Sequence, residues 1–195
     1  MDAGMGTDMF KENCQELADR LARSRDDFEV MAAARALAEL GPAAAPATVT
    51  LEALLLTGTP AVAAAAAFVI GEIGSRALQT SPALLGTLMR QLHHSDGEVR
   101  YWVAVALGRL GPKAAPAVPQ LVELLGDADE AIRAAAMHAL NEMGPAARQA
   151  ALPLSAALTS PSRKERQAAV KTLVRVDPDG AESGALLKRL LDQAE

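Results

Sequence analysis

A Gly-Pro phrase that closes a helix-like run recurs along this 195-residue chain. It reads LAELGP at 37–42, LGRLGP at 107–112 and LNEMGP at 140–145. The glycines define anchors at Gly41, Gly74, Gly111 and Gly144, with Asp177 in the fifth place, and successive anchors are 33, 37, 33 and 33 residues apart. A fixed period of this size is typical of stacked supersecondary units, each too small to bury its apolar face alone.

Apolar side chains keep a constant register before every anchor. Four residues before it stand Leu37, Ile70, Leu107, Leu140 and Leu173. The positions one and eight before it are also apolar in all five units, whereas Glu29 and Glu165 break the pattern at the position twelve before it. These offsets lie on one face of an α-helix, so they predict a helix that ends before each anchor. The predicted ends lie near Leu40, Ile73, Leu110, Met143 and Val176.

The amino-acid composition and the residues at the predicted helix ends also favour helices. Half of the residues are hydrophobic but only 3% are aromatic, so alanine and leucine, which are strong helix formers, provide the packing. The anchor glycines suit a left-handed helix cap, and the proline after them stops the helix. Ser95, Asp127 and Ser162, each three residues before a glutamate, resemble capping boxes, and Thr59 precedes Pro60 as a cap. Shorter apolar runs at 45–56, 82–92, 117–125 and 151–158 predict one further helix per unit.

The units resemble short HEAT repeats of the phycobilisome lyase-like type. The resemblance is carried by Val99-Arg100 and Ile132-Arg133 at the start of the helix, by Ala106-Leu107-Gly108, and by Asp96 or Asp129 just ahead. Glu165-Arg166 replaces the apolar-arginine pair in the fifth unit, and Val30 and Ala63 stand at the arginine position in the first two. The resemblance implies an all-α fold: a right-handed α-solenoid, or armadillo/HEAT-like superhelix, of about five helix-turn-helix repeats plus a C-terminal cap helix.

The same register predicts the domain organisation. Residues 1–7 are expected to form a disordered tail, and 8–195 a single repeat domain. The repeats are expected at about 8–41, 42–74, 75–111, 112–144 and 145–177, followed by a cap helix at 181–193. The charge-free stretch between Glu52 and Glu72 is interrupted at 57–60, so neither piece is long enough to cross a membrane.

Charge and cysteine usage narrow the class of protein. The net charge of −5 argues against general nucleic-acid binding, since such proteins are usually basic. The single cysteine, Cys14, excludes an internal disulfide and a cysteine zinc cluster and suits a reducing compartment. The N-terminus has no basic and apolar signal-peptide pattern. A cytoplasmic protein that is not inserted in a membrane is therefore expected.

No catalytic signature accompanies the repeats. His93, His94 and His138 do not form a metal-ligand pattern, and Cys14 lies on the apolar stripe of the first helix. We therefore predict no catalytic residue, no metal and no cofactor. The alternative is an enzyme or enzyme subunit of a HEAT-like class, either phycobilin lyase-like or DNA glycosylase-like.

Three arginines share one position in the repeat, namely Arg100, Arg133 and Arg166. They are interpreted as a structural ladder in which each pairs with an acid of the preceding turn, such as Asp96 or Asp129, and ties neighbouring repeats together. An anion-binding ladder is the alternative interpretation, and the structural one is favoured.

The predicted partner is another protein. It is expected to bind on the concave face, which is lined by the helices that end before the anchors. Exposed apolar and aromatic residues on such a face are typical of interfaces. The predicted contact residues are Met31, Arg35, Phe68, Tyr101, Trp102, Val105 and Arg109. Phe68 and Trp102 could instead fill gaps between alanine-rich helices. A secondary basic face is predicted at Lys164, Lys171 and Arg175, suited to an acidic segment. The oligomeric state is not predicted.

Overall fold

Every regular element in the described part of the computed structural model, residues 3–181, 183 and 184, is helical. The first helices of the five units are α1 (Ala3–Arg23), α3 (Thr48–Thr57), α6 (Leu84–Gln91), α8 (Val118–Leu124) and α10 (Ala151–Ala156). The second helices are α2 (Asp27–Glu39), α4 (Pro60–Ile73), α7 (Gly97–Leu110), α9 (Glu130–Met143) and α11 (Arg163–Val176). A short helix, α5 (Ala77–Thr80), precedes α6. Nearly all of the predicted cap helix at 181–193 lies outside the described residues.

The second helices end where the register predicts. Four of them end at the predicted residue, and α2 ends one residue earlier, at Glu39, with Leu40 as its cap. The side chains four residues before the anchors are fully or almost fully buried, as Leu37, Ile70, Leu107, Leu140 and Leu173 illustrate. The apolar stripe is therefore the buried face of each second helix.

The anchor glycines adopt positive φ angles, with 52° at Gly41, 65° at Gly74, 63° at Gly111 and 57° at Gly144. At Gly74 and Gly144 the conformation is not the left-handed helical one, because ψ is −149° and −137°. This region is accessible to glycine almost alone. A proline after three of these glycines contributes, because the residue before proline is disfavoured in a helical ψ.

Long 3₁₀-helical segments link the second helix of one repeat to the first helix of the next. They span Gly41–Ala47, Gly111–Ala117 and Gly144–Ala150, with a shorter one at Gly74–Arg76. Two of them contain an internal proline, Pro46 or Pro116, which lacks the N–H that a regular α-helical turn would use. Helices α3 and α8 therefore begin at Thr48 and Val118, later than the apolar runs 45–56 and 117–125 indicate.

The N-caps were predicted correctly in two helices and wrongly in two. Thr59 accepts a hydrogen bond from Val62 N, and Ser162 accepts one from Glu165 N. In α7 the cap is Asp96 rather than Ser95, since its Oδ1 accepts from Glu98 N at 2.9 Å. In α9 it is Asp129 rather than Asp127. A cap must directly precede the first helical turn. The three-residue spacing to a glutamate placed the cap one residue too early in α7 and two residues too early in α9.

The chain forms two compact units, Met1–Ala106 and Leu107–Glu195, with the boundary inside α7. In the N-terminal unit α2 packs against α1 and α4, and α3 packs against α4 and α6. In the C-terminal unit α9 packs against α8 and α11, and α10 packs against α11. The helical backbone begins at Ala3, within the segment predicted to be a disordered tail. The assignment of a single domain and its repeat boundaries stay predictions.

One helical run, Pro60–Thr80, is long and apolar enough to cross a membrane by length and composition. However, 61% of its most apolar window is buried inside the protein, and a 3₁₀ turn at Gly74–Arg76 divides it. Helices in the core of water-soluble proteins meet the same length and composition criteria. The run is consistent with the core packing of α4, in which ten residues are buried.

Candidate functional site: a groove in the N-terminal unit

Three second helices line a groove of about 340 Å³ in the N-terminal unit. Its lining residues are Asp27, Val30, Met31 and Arg35 from α2, Ala61, Ala65 and Phe68 from α4, and Glu98 and Trp102 from α7. The two alanines leave room above α4, because they lack side chains beyond Cβ. Met31, Phe68 and Trp102 supply the largest apolar side chains of the lining.

An aromatic cluster forms the second wall. The rings of Phe68 and Trp102 meet edge to face, with centroids 4.9 Å apart and an interplanar angle of 63°. Tyr101 packs on the other side of Trp102 at 5.1 Å and 83°. All three side chains are half-buried. These rings pack on each other, and Phe68 and Trp102 also line the groove.

Charged side chains stand around the apolar lining. Asp27 and Glu98 belong to the first turns of α2 and α7, and both are exposed. Arg35 lies two turns further along α2 and is also exposed. A ligand in the groove therefore meets an apolar floor with two carboxylates near the helix starts and one guanidinium beyond them.

The structure brings four of the predicted contact residues together, namely Met31, Arg35, Phe68 and Trp102. Tyr101 joins them through Trp102, whereas the half-buried Val105 does not line the groove. Arg109 is exposed and belongs to the C-terminal unit.

Sequence reasoning missed part of the lining. It did not name Asp27, Val30 or Ala65 as groove residues, although Asp27 lies within one position of Glu98 in the repeat register. Ala64 and Gly71 of α4, which lie between the groove residues in the sequence or close to them, are buried. The outward arc of α4 is narrower than a regular helical wheel predicts, because α4 is packed on several sides.

The arginine ladder is built on backbone carbonyls. Arg100 Nη1 donates to His94 O at 2.9 Å and to Ser95 O at 3.0 Å. Arg133 Nη1 makes the same pair of bonds to Asp127 O and Ala128 O, and Arg166 Nη1 to Ser160 O and Pro161 O. Each guanidinium therefore ties the start of its helix to the turn before it. The predicted pairing with Asp96 and Asp129 is wrong, because these carboxylates accept from backbone N–H groups as helix caps.

A second bond of the ladder joins two repeats. Arg133 Nη2 and Nε donate to Glu165 Oε1 at 2.6 and 2.9 Å, which links α9 to α11. Ser160 Oγ donates to the other carboxylate oxygen of Glu165. The hydrogen bond from Ser160 and the bond and charge of Arg133 lower the pKa of Glu165.

The predicted basic face lies on α11. Lys164, Lys171 and Arg175 are all exposed, as is Arg163 beside them. Arg175 Nε also donates to Asn141 O at 3.0 Å, which holds its side chain across α9. The exposed charges of α11 are therefore all positive.

The residues considered for catalysis are placed apart from the groove lining. Cys14 is fully buried, burial raises the pKa of its thiol, and its Sγ lies 3.9 Å from Ala43 O. His93 and His138 are exposed, and His94 Nδ1 accepts from Asp96 N at 3.0 Å. Within the part of the chain that the structure describes, no three His, Cys, Asp or Glu side chains form a group that could hold a metal ion.

Solved structures with a similar backbone are repeat proteins. An engineered protein is 24% identical, with a TM-score of 0.68, over 84% of this chain and 79% of that one. A designed armadillo repeat protein in complex with the peptide (KR)4 is 20% identical, with a TM-score of 0.65, over 83% and 80%. The complex of CpcE and CpcF of phycocyanin lyase from Nostoc sp. PCC7120 is 19% identical, with a TM-score of 0.62, over 82% and 96%. These likenesses show the armadillo/HEAT solenoid fold.

Sequence comparison gives the family. No curated protein matches the chain significantly. The family model described as HEAT repeats matches residues 47–141, 87–173 and 118–195, which together span well over half of the chain. The chain therefore belongs to the HEAT repeat family.

Proposed function

We propose that the protein is a non-catalytic interaction scaffold or adaptor that binds a partner protein in the groove of α2, α4 and α7. The observation that carries this proposal is the groove itself, which is lined by the partly exposed Met31 together with the aromatic pair Phe68 and Trp102. Methionine, tryptophan and arginine are enriched in the centres of protein interfaces. The predicted contact residues Tyr101, Val105 and Arg109 stay part of the proposal as flanking positions.

The charges around the groove define the partner segment. Asp27 and Glu98 favour a lysine or arginine of the partner, and Arg35 favours an acidic group or a backbone carbonyl. We infer an extended or helical segment with one large apolar side chain next to a basic residue. The similar designed armadillo protein binds a basic peptide, which supports a segment of this kind as ligand.

Site-specific crosslinking tests the proposal in the cells that produce the protein. With a photoreactive benzoylphenylalanine in place of Met31, illumination is expected to give one dominant adduct with a partner protein. The matched control carries the same group at Val49, an exposed position of α3 outside the groove. Purified partner is then expected to bind the Arg35→Glu variant at least tenfold more weakly, since a charge pair at an interface is reversed. Equal adducts at both positions would contradict the proposal.

The basic face of α11 is the second candidate surface. Lys164, Lys171 and Arg175 are exposed without an exposed acid on the same helix, so they suit an acidic segment. Binding there would weaken steeply with added salt, because exposed charge pairs are screened. Nucleic acid and membrane insertion are not part of the proposal, and the unpaired thiol of Cys14 agrees with a cytoplasmic location.

The enzymatic alternative is tested by the chromophore that a phycobilin lyase would handle. The likeness to phycocyanin lyase, at 19% identity, concerns the fold. For a scaffold we expect that adding a linear tetrapyrrole leaves its absorption spectrum unchanged at protein concentrations up to about 100 µM, a range in which weak sites already bind. A red-shifted or sharpened band that disappears in the Trp102→Ala variant would favour the lyase-like alternative. Serum albumin serves as the positive control for tetrapyrrole binding.

A further inference from the structure

An open apolar edge runs along α11. Val170 and Val174, one helical turn apart, are 53% and 67% exposed. Together with Leu158 and Leu173 they line a shallow groove that ends at the turn around Pro178. Exposed valines at such spacing are unusual on a helix whose other exposed residues are charged or polar.

The repeat register explains what this edge is for. Val170 and Val174 stand seven and three residues before the fifth anchor, where α9 carries Met137 and Asn141. These two residues are only 3% and 8% exposed, because α11 covers them. The covering contacts include the bonds of Thr172 Oγ1 to Met137 O and of Arg175 Nε to Asn141 O. The two valines thus occupy positions that, in the preceding repeat, pack against the second helix of the next repeat.

The arginine of the same edge has unused donors. In α9, Arg133 uses Nη1 for the carbonyls of its own turn and Nε and Nη2 for Glu165 of the next second helix. In α11, Arg166 makes the carbonyl bonds through Nη1. Among the described residues, no acceptor faces its Nε and Nη2. The edge therefore offers two valines and a guanidinium in the arrangement that receives a second helix.

The next position in the register is that of a first helix. Helix α10 starts seven residues after Gly144, and the same offset from Asp177 falls on Gly184. None of the described residues therefore takes the place of a second helix beside α11.

We propose that the edge formed by Arg166, Val170 and Val174 binds one amphipathic helix of a partner protein, distinct from the segment bound in the N-terminal groove. The helix takes the place of a sixth second helix. It presents a glutamate to Arg166 and small apolar residues to the valines, three and seven positions after that glutamate. This spacing follows from α11, in which Glu165 and Thr172 bond to α9 and Ala168 stands between them, three residues after Glu165.

The chain contains a natural probe of this chemistry. In α2 the same three positions are Glu29, Ala32 and Ala36, so they carry the glutamate and two alanines at the required spacing. A labelled synthetic peptide of residues 25–41 is therefore a suitable test ligand. Its helix-forming alanines favour the bound conformation.

Fluorescence anisotropy of this peptide with the full-length protein is the test. We expect saturable binding, weakened at least tenfold by Val174→Asp, which places a carboxylate on the apolar edge. The control Val49→Asp changes a valine of similar exposure, 60%, on α3 and is expected to leave binding unchanged. A peptide with Glu29→Gln is expected to bind about tenfold more weakly, because it loses a hydrogen bond between charged groups. Thermal melting verifies that both protein variants remain folded, and Val170→Asp replaces Val174→Asp if the latter does not.

Four results would overturn the proposal. The first is no binding at millimolar peptide, and the second is binding that Val174→Asp leaves intact. The third is peptide binding that appears only when the chain is ended at Gly184, which would identify the C-terminal segment as the natural occupant. The fourth is self-association in sedimentation that Val174→Asp abolishes, which would identify a second copy. None of these results depends on the groove in the N-terminal unit.

Discussion

Replacing Gly108 by alanine is expected to destabilise the protein, although alanine is the better helix former. A Cβ atom at this position of α7 would lie 2.9 Å from Ala139 Cα and 3.3 Å from Ala139 Cβ. Since the closest atom belongs to the backbone of α9, the contact is relieved only if the two helices move apart. Overpacking of this kind costs about 1–3 kcal/mol, which outweighs the roughly 1 kcal/mol gained in helix propensity.

Gly86 provides the matched control for this substitution. It lies in α6, and a Cβ atom there would meet only Arg90 Nη1, at 3.8 Å. Gly86→Ala is therefore expected to raise the free energy of unfolding by about 1 kcal/mol, because only the propensity term remains. Urea unfolding of the two variants separates the cost of the contact with α9 from the gain in helix propensity. Equal changes in both variants would show that α7 and α9 do not approach as closely as described.

The helix ends could be predicted from the sequence because they depend on local chemistry. The stripe around Leu37 and Leu140, followed by glycine and proline, defines where each second helix stops. The close approach of α7 to α9 at Gly108 was harder to predict from the sequence. The residue three before the anchor is glycine in two units, but it is Asn141 in the fourth and Val174 in the fifth, so the pattern alone does not give helix separation.

The candidate site was predictable in composition and less so in geometry. The helical period placed Met31 and Phe68, ten and six residues before their anchors, on the outward face, and Trp102 was included as the neighbour of Tyr101. It could not give the half-burial of Phe68, which depends on how the ring of Trp102 folds over alanine-rich α4. Likewise, the ladder arginines were expected to pair with acids. The carbonyl acceptors of Arg133 depend on the conformation of the preceding turn, which spacing does not reveal.

Replacing Arg133 by methionine is expected to lower the free energy of unfolding by about 3 kcal/mol, since removal of one partner leaves a poorly solvated carboxylate. The side chains of Arg133 and Glu165 are only 26% and 14% exposed, so water replaces the lost bonds incompletely. Arg166→Met is the control, because Arg166 makes the same two carbonyl bonds without a carboxylate among the described residues. Arg166→Met is expected to lower the free energy of unfolding by less, and the difference is the contribution of the ion pair between Arg133 and Glu165. Equal losses would mean that the bond to Glu165 adds nothing.

The pH dependence of the same variant tests the ion pair independently. In the folded protein the pKa of Glu165 is lowered, first by the hydrogen bond from Ser160 and then by Arg133. A carboxyl group with a lowered folded pKa contributes stability above its unfolded pKa, near 4.3, and loses that contribution as the pH falls through the folded pKa. The destabilisation caused by Arg133→Met is therefore expected to be largest at pH 7 and to shrink below about pH 4. Urea unfolding at pH 7 and pH 3 measures it. A difference between wild type and variant that is unchanged at pH 3 would assign the effect to the carbonyl bonds of Arg133 and to its packing, and not to the charge of Glu165.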